Sequence, residues 1–490
     1  MNEKLIRELQ ALLGTEHVLH SEHELRLYEY DGSIETARPE AVVFPGDTAD
    51  VVRIVKFANR HDIPLIGRGA GTGLSGGALA RHGGIIVAFT RMNRILEIDA
   101  ENQCAVVQPG VVNSDVSLVA APFGLHFAPD PSSQRACTIG GNISENAGGP
   151  HTLAYGVTAN HVLGLELVLP EGGIVRTGGN APMVPGYDLT GLLVGSEGTL
   201  GIVTEATLRL TRSPEAVETL LAIFDTVDDA TQSVVDITAR GITPAACEML
   251  DGWTLRAVET WAHAGYPMDS AAVLLLEVDG LLEAVGPEAE AITDVCRANR
   301  AREVRRASNA RERELLWKGR KNAFGAVGRL SPTYYVQDGV IPRTKLPETL
   351  RRIAEIGCEH GFEIGNIFHA GDGNLHPIIL FDARKSGDRE RAIAAADRII
   401  EHCVSVGGVI TGEHGVGMEK DRLMPLLFSD VEIALMSRVR DAFNPRHLLN
   451  PGKIFPTGKG CGEIRVRPSH QVTRSSLHSS AGFGSSSGRV

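Results

Sequence analysis

Grouped cysteines are missing from this chain. Its seven cysteines, Cys104, Cys137, Cys247, Cys296, Cys358, Cys403 and Cys461, are scattered, and no two form a C-x-x-C pair. An iron–sulfur cluster held by this chain alone is therefore excluded, because such clusters need grouped thiolates. The odd count and wide spacing point to reduced thiols in a reducing compartment. Long hydrophobic runs are missing too, with no stretch of about eighteen apolar residues, so no membrane span is expected. Positive charge is in deficit: 48 Lys and Arg stand against 60 Asp and Glu, a formal net charge of −12. That balance argues against a dedicated nucleic-acid binder. The opening MNEKLIRELQALLG reads as an amphipathic helix carrying both charge signs, without the apolar core of a signal peptide. A cytoplasmic location is expected, with peripheral contact at the inner face of a membrane only through partners. No internal repeat is found.

What is present is a globular composition, 43 % hydrophobic over 490 residues, enough for two or three domains. The segment PGDTADVVRIVKFANRHDIPLIGRG predicts a helix capped by Asp47 or Thr48, with Val51, Val52, Val55 and Ala58 on its apolar face. A strand ending near Arg68 follows. Further strands are expected at GIIVAF, RILEID, CAVVQPGV, LGLELVLP, GIVRT and GIVTEATLRL. Their short connections predict an α+β region rather than regular βαβ units. Arg212-Ser213-Pro214 marks a boundary. Beyond it, strand-like VETLLAIF, PAACEML, AVLLLEV and YYVQDGVIP alternate with long helical stretches, which reads as a second sheet with helices packed on it. The predicted organisation is a helical segment over 1–37, a first α+β domain over 38–214, a second over 215–418, helices over 419–456 and a Ser/Gly-rich disordered tail over 457–490.

Glycine concentrates in three places: RGAGTGLSGG, TIGGNISENAGG and GSEGTLG. Gly71 to Gly76 match G-x-G-x-x-G, but a dinucleotide unit needs a helix after the glycines and then a parallel strand. Only ALARH and a Gly pair separate Gly77 from the strand at Ile85, too little for a helical crossover. The nicotinamide reading fails on that test. Three ordinary tight turns would account for the glycines. So would three backbones closely approaching one long phosphate-bearing cofactor, since successive N–H groups in Gly-rich loops form anion-binding nests.

The second half carries HAGDGNLHP, with His369 and His376 at the two ends of a loop of turn formers, flanked by strand-like IGNIF and PIILF. Farther on comes TGEHGVG with Glu413 and His414. Two imidazoles and a carboxylate suit a divalent metal, zinc foremost and Mn or Fe next, with positions left open. Asp372 and Asn374 are expected to orient the ligand histidines. The bland alternative is a polar loop that only bonds to itself. A zinc-dependent hydrolase is the competing reading, although it leaves the glycine segments without a purpose. The helix WKGRKNAF offers Lys318, Arg320 and Lys321, either as a solvated basic face or as a carboxylate clamp.

PLIGRGAGTGLSGG, APDPSSQRACTIGGNISENAGG and GSEGTLGIVTE resemble the FAD-binding segments of the vanillyl-alcohol-oxidase type flavoproteins. HAGDGNLHP, TGEHGVG and LLNPGKIF resemble the C-terminal half of the FAD-linked 2-hydroxyacid dehydrogenases of that group. The resemblance implies an α+β fold. A PCMH-type FAD-binding domain of two subdomains would be followed by a cap domain with an antiparallel sheet flanked by helices, and C-terminal helices would return to the flavin. It implies Arg68, Gly69, Ala70, Gly71, Thr72, Gly73 and Ser75 around the pyrophosphate. Pro129, Asp130, Ser132, Thr138, Gly141, Asn142, Asn146 and Gly148 would line the adenosine phosphates and isoalloxazine. Glu197, Gly201 and Val203 would close the site, with Asn450 reaching it from the C-terminal end. Thr72 stands where some relatives attach FAD through a histidine, so FAD is expected to be non-covalent. The resemblance also implies metal ligation by His369, His376 and Glu413, His414 as general base and Arg320 for the substrate carboxylate. Phe324 and Val336 stand near places where relatives specific for larger diacids have hydroxyl and amine contacts, which favours a small monoacid. The implied reaction is oxidation of a 2-hydroxyacid to the 2-oxoacid, glycolate to glyoxylate foremost and D-lactate next. Electrons would leave through a second flavin-type subunit and an iron–sulfur subunit toward quinone.

Overall fold

Short aliphatic runs without polar alternation suit strands covered on both faces. Three of them, Ala41–Val43, Ile85–Ala88 and Leu65–Arg68, pair in parallel in the computed structural model, which describes residues 1–181 and 185–456. Val18–Leu19 adds an antiparallel edge. The Ser/Gly-rich tail lies outside the described residues. The helix Thr48–His61 connects Ala41–Val43 to Leu65–Arg68; the Asp47 side chain caps it by accepting from the Asp50 N–H. Its buried stripe is Val51, Ile54, Val55, Phe57 and Ala58. Val52, expected inside, is half-buried, and Ile54 and Phe57 complete the face instead.

The strands on either side of the first glycine segment pair in parallel after all. Counted from Gly77 the connection is too short, but the whole stretch from Gly69 to Gly84 exceeds the dozen or so residues that a parallel crossover needs. It contains no helix. The glycine loop is itself the crossover, so its backbone N–H groups are not consumed in a helical ladder.

A second sheet is wholly antiparallel, in the order Ile95–Asp99, Cys104–Val107, Ile202–Arg209, Val162–Val168, Ile174–Gly178. The second half builds a nine-stranded antiparallel sheet. Its main path runs Glu303–Arg306, Ala216–Phe224, Ala272–Gly280, Ala246–Asp251, Ile364–His369, Asn374–Leu375, Gly339–Val340. Thr333–Val336 and Pro377–Phe381 attach at its side. Leu220, Ala222 and Phe224 enter one core with Val234, Ile292 and Ile353, while Leu221 and Ile223 enter another with Leu255, Val258 and Trp317. Helices on both faces explain why these strands are hydrophobic throughout. Near its end the chain returns to the first sheet. The Asn450 N–H donates to the Leu65 carbonyl, and the Asn450 side chain donates to the carbonyls of Gly77 and Glu197. No helix among the described residues is long and apolar enough to cross a membrane.

Candidate active site

The three glycine segments meet around one cavity. Of the residues expected at a cofactor, Arg68, Gly69, Ala70, Gly71, Thr72, Gly73, Ser132, Thr138, Gly141, Asn142, Glu197, Gly201, Val203 and Asn450 line it. Gly69 passes so near Thr138 that a Cβ there would fall 2.2 Å from its Oγ1, whereas a Cβ at Gly73 would meet nothing. Two buried donors, Arg68 Nη1 and Asn142 Nδ2, have no hydrogen-bond partner among the described residues. Close backbone, open space and orphaned donors fit a long acceptor-rich cofactor such as FAD.

Five expected cofactor residues lie outside the cavity wall. Ser75 is buried, with its carbonyl accepting from the Met418 N–H. The Pro129 carbonyl accepts from Asn113 Nδ2. Asp130 pairs with His151 and Lys321. Asn146 ends the helix Ile139–Glu145 in the left-handed region, and its Oδ1 accepts from the Ala159 N–H. Gly148 instead abuts Glu413, where a Cβ would lie 2.8 Å from Oε2.

Glu413 and His414 line the same cavity, which joins it to the histidine loop. His369 ends the strand Ile364–His369, and His376 precedes Pro377–Phe381. His369 Nε2 and His376 Nε2 lie 3.2 and 3.1 Å from one oxygen, Glu413 Oε1. These three residues can offer ligand atoms within 4.8 Å of one another. His369 Nδ1 lies 2.8 Å from Glu248 Oε1, and His376 Nδ1 lies 3.3 Å from the Gln337 carbonyl. Burial opposes positive charge on His369, but Glu248 and Glu413 outweigh it and raise its pKa well above the ordinary value. A cation, whether proton or divalent metal, is what these carboxylates call for, so the donor set fits a metal.

Asp372, expected to orient the ligand histidines, accepts the Asn374 N–H and closes the turn; Glu248 and the Gln337 carbonyl take that position. Arg320 is buried outside the cavity wall, with Nη2 2.5 Å from Glu248 Oε2. Its Nε and Nη1 have no hydrogen-bond partner among the described residues. Lys321 does line the cavity, as do Phe324, Tyr334 and Val336. The Phe324 ring stands 6.3 Å from that of His376.

The loop carrying Glu413 and His414 is gripped by two carboxylates. Asp338, fully buried, accepts from the Thr411 hydroxyl and from the N–H groups of Gly412, Glu413 and His414. Glu197 accepts the N–H groups of Val416 and Gly417, both at 2.8 Å. The His414 ring stacks on His376, 4.9 Å between centroids and 5° apart in plane. Burial pushes the His414 pKa down to about 4, with Asp338 opposing. Neutral His414 is thus ready to accept a proton.

Residues 39–178 match the FAD binding domain family, and residues 213–454 match the C-terminal domain of the FAD linked oxidases. Over 454 residues the chain is 46 % identical to glycolate oxidase subunit GlcD of Escherichia coli (strain K12), covering 92 % of this chain and 91 % of that one. The chain belongs to the FAD-linked oxidases. The GlcD subunit of Bacillus subtilis (strain 168) is 43 % identical over 450 residues, 91 % of this chain and 96 % of that one. A D-lactate dehydrogenase of Archaeoglobus fulgidus is 36 % identical over 439 residues, 87 % and 95 % of the two chains. Among solved structures, p-cresol methylhydroxylase superposes with a TM-score of 0.78 at 19 % identity, covering 92 % of this chain and 96 % of that one. For 4-ethylphenol oxidase from Gulosibacter chungangensis the TM-score is 0.76 at 21 % identity, covering 92 % and 97 %. This FAD-linked oxidase therefore has the expected α+β architecture, a PCMH-type FAD-binding domain with a cap domain. It is a flavin-dependent hydroxyacid dehydrogenase.

Sequence reasoning missed Glu248 and Asp338 in this FAD-linked oxidase. Glu248 left a signal, a lone acid inside the apolar strand PAACEML. Asp338 left none, because its D-G step reads as an ordinary turn.

Proposed function

We propose that the chain oxidises glycolate to glyoxylate, with D-lactate as the second substrate. The observation that carries this reading is the opening of the Glu413–His414 loop into the flavin cavity beside the apolar side chains of Phe324 and Val336. The two apolar side chains suit a small monoacid, and Lys321, a cation in the same wall, is already paired with Asp130 at 3.2 Å. The higher identity to the glycolate oxidase subunits than to the D-lactate dehydrogenase supports the order of preference.

In this reading Arg320 takes the substrate carboxylate through Nε and Nη1, held from behind by Glu248. His414 removes the hydroxyl proton, and Asp338 keeps its loop in place. His369, His376 and Glu413 would hold a divalent metal, and the glycine segments hold FAD non-covalently. When bound, FAD supplies the two-electron acceptor, and the metal supplies charge that lowers the hydroxyl pKa. The division into 38–214 for FAD and 215–418 for the cap belongs to the same proposal. The test is anaerobic bleaching of the flavin by glycolate, D-lactate, L-lactate and 2-hydroxyglutarate. Glycolate should bleach fastest. A fastest rate with D-lactate would reverse the order, and one with 2-hydroxyglutarate would sink the small-acid reading.

The chain further acts as one subunit of an assembly at the inner face of a membrane, with a second flavin-type subunit and an iron–sulfur subunit relaying electrons. Its support is the lack of grouped cysteines together with the subunit naming of the GlcD relatives. The isolated chain should reduce artificial dyes quickly and quinone slowly until those subunits are added. Equal quinone rates with and without them would make it self-sufficient.

A further inference from the structure

One carboxyl group at the flavin cavity has no task in this scheme. Glu145 is the last residue of the helix Ile139–Glu145 and lines the cavity. Its Oε2 is buried with no hydrogen-bond partner among the described residues. The chain closes tightly around it: a Cβ at Gly77 would fall 2.3 Å from Oε1, and one at Gly415 would fall 2.2 Å from Oε2. That same Cβ at Gly415 would lie 3.1 Å from Glu197 Oε1, so two carboxyl groups flank a single glycine.

The two groups are not equivalent. Burial raises the Glu197 carboxyl to about 7, against the two backbone N–H groups it accepts, which favour its ionised form. Among the described residues no such donor reaches Glu145. The nearby cations are engaged elsewhere: Lys453 Nζ donates to the Leu79 carbonyl and Asn450 Oδ1, and Lys420 Nζ pairs with Asp338 at 3.6 Å. Burial first, then the charges of Glu197 and Asp31, push the Glu145 carboxyl well above the usual carboxylate range. FAD presents acceptors along most of its length, as phosphate oxygens, ring nitrogens and ring carbonyls. An ionised Glu145 would set a negative charge against them, whereas a protonated one offers an O–H.

We propose that Glu145 meets FAD as a carboxylic acid and donates its O–H to an acceptor of the cofactor, while Glu197 keeps the charge and holds the Val416–Gly417 backbone. The inference rests on FAD binding, and neither on the choice of hydroxyacid nor on the metal. Loss of turnover therefore cannot imitate its failure.

The test uses the full chain with FAD bound. Infrared difference spectra between the wild type and Glu145→Gln should contain the carbonyl stretch of a protonated carboxylic acid, shifted in D2O. FAD dissociation is the second readout. Glu145→Gln, whose amide still donates, should bind FAD within about threefold of the wild type, and Glu145→Leu should bind about tenfold more weakly, the worth of one hydrogen bond. Equal weakening in both variants without an acid carbonyl band would make Glu145 an ionised acceptor and overturn the proposal. Unchanged affinity in Glu145→Leu would overturn it as well. If the leucine variant does not fold, the difference spectrum decides, because absence of a protonated-acid band refutes the donor.

Discussion

At Glu248 one carboxylate meets two demands. Oε2 faces Arg320, and Oε1 faces His369 Nδ1. Burial raises its pKa, but Arg320 and His369 reverse the effect and keep it ionised. Removing one partner of a buried pair leaves an uncompensated charge, so Glu248→Ala should cost about 3–5 kcal/mol of stability in a denaturant titration. A loss comparable with that of an exposed pair would contradict this account. Around it, His414→Ala should lower kcat by about 10²–10⁴-fold, and His376→Ala should abolish turnover, both with the flavin absorbance retained. Arg320→Ala should raise KM more than it lowers kcat. Stopped-flow bleaching at wild-type rates in both His414→Ala and Arg320→Ala would remove these assignments. At this scale the histidines and the Glu-His pair were legible because turn-forming glycines isolate them from any apolar pattern. Arg320 was legible as a cation on a helix, and through the resemblance as a carboxylate clamp, but its burial outside the cavity wall was not.

The seven residues from Thr411 to Gly417 behave as one element although they form neither helix nor strand. Their donors go to Asp338 at one end and Glu197 at the other. Two glycines permit the path. Gly415 has φ +83° and Gly417 φ +54°, and a Cβ on Gly417 would lie 2.1 Å from the Ser75 carbonyl oxygen. That neighbour is backbone and cannot rotate away. Gly417→Ala should therefore displace the loop, and a displacement near 1 Å lowers kcat on the order of a hundredfold. Near-normal kcat in a folded Gly417→Ala protein would show that the loop does not set the base. Asp338→Asn should act in the same direction, since its amide would turn an N–H toward backbone donors.

Across the whole molecule, His151 ties segments far apart in the chain. Its Nδ1 lies 2.9 Å from Asp130 Oδ2 and its Nε2 lies 3.3 Å from Glu277 Oε1, and its ring stacks on Trp317. Glu277 also accepts from Arg313, Trp317 and Thr219. Burial opposes charge on His151, yet Asp130 and then Glu277 raise its pKa to about 10. A raised folded-state value means stabilisation that is complete below the unfolded value of about 6.5 and fades as pH climbs toward 10. Glu277 is depressed, so its contribution is present above about pH 4.3 and is lost as pH falls below that. Thermal unfolding across pH should show His151→Gln most destabilised between about pH 4.3 and 6.5, with the gap to wild type narrowing toward pH 10. A gap that is constant with pH would mean that His151 contributes packing and not charge.

The sequence by itself determined the class of protein and much of its local form. Glycine clusters, the turn between His369 and His376, the Asp47 cap and the strand runs all depend on neighbours a few residues away, so composition and spacing suffice to read them. Only the tertiary structure decided which charges meet. Glu248 and His369 face each other because the strands Ala246–Asp251 and Ile364–His369 pair in that register. Asp338 reaches the Thr411–His414 backbone, and Glu197 reaches Val416 and Gly417, across more than seventy and two hundred residues of chain respectively. Such partners share no local pattern. They are brought together by strand register and by two hydrophobic cores on opposite faces of one sheet, and a buried carboxylate is stable only after that packing has delivered its donors.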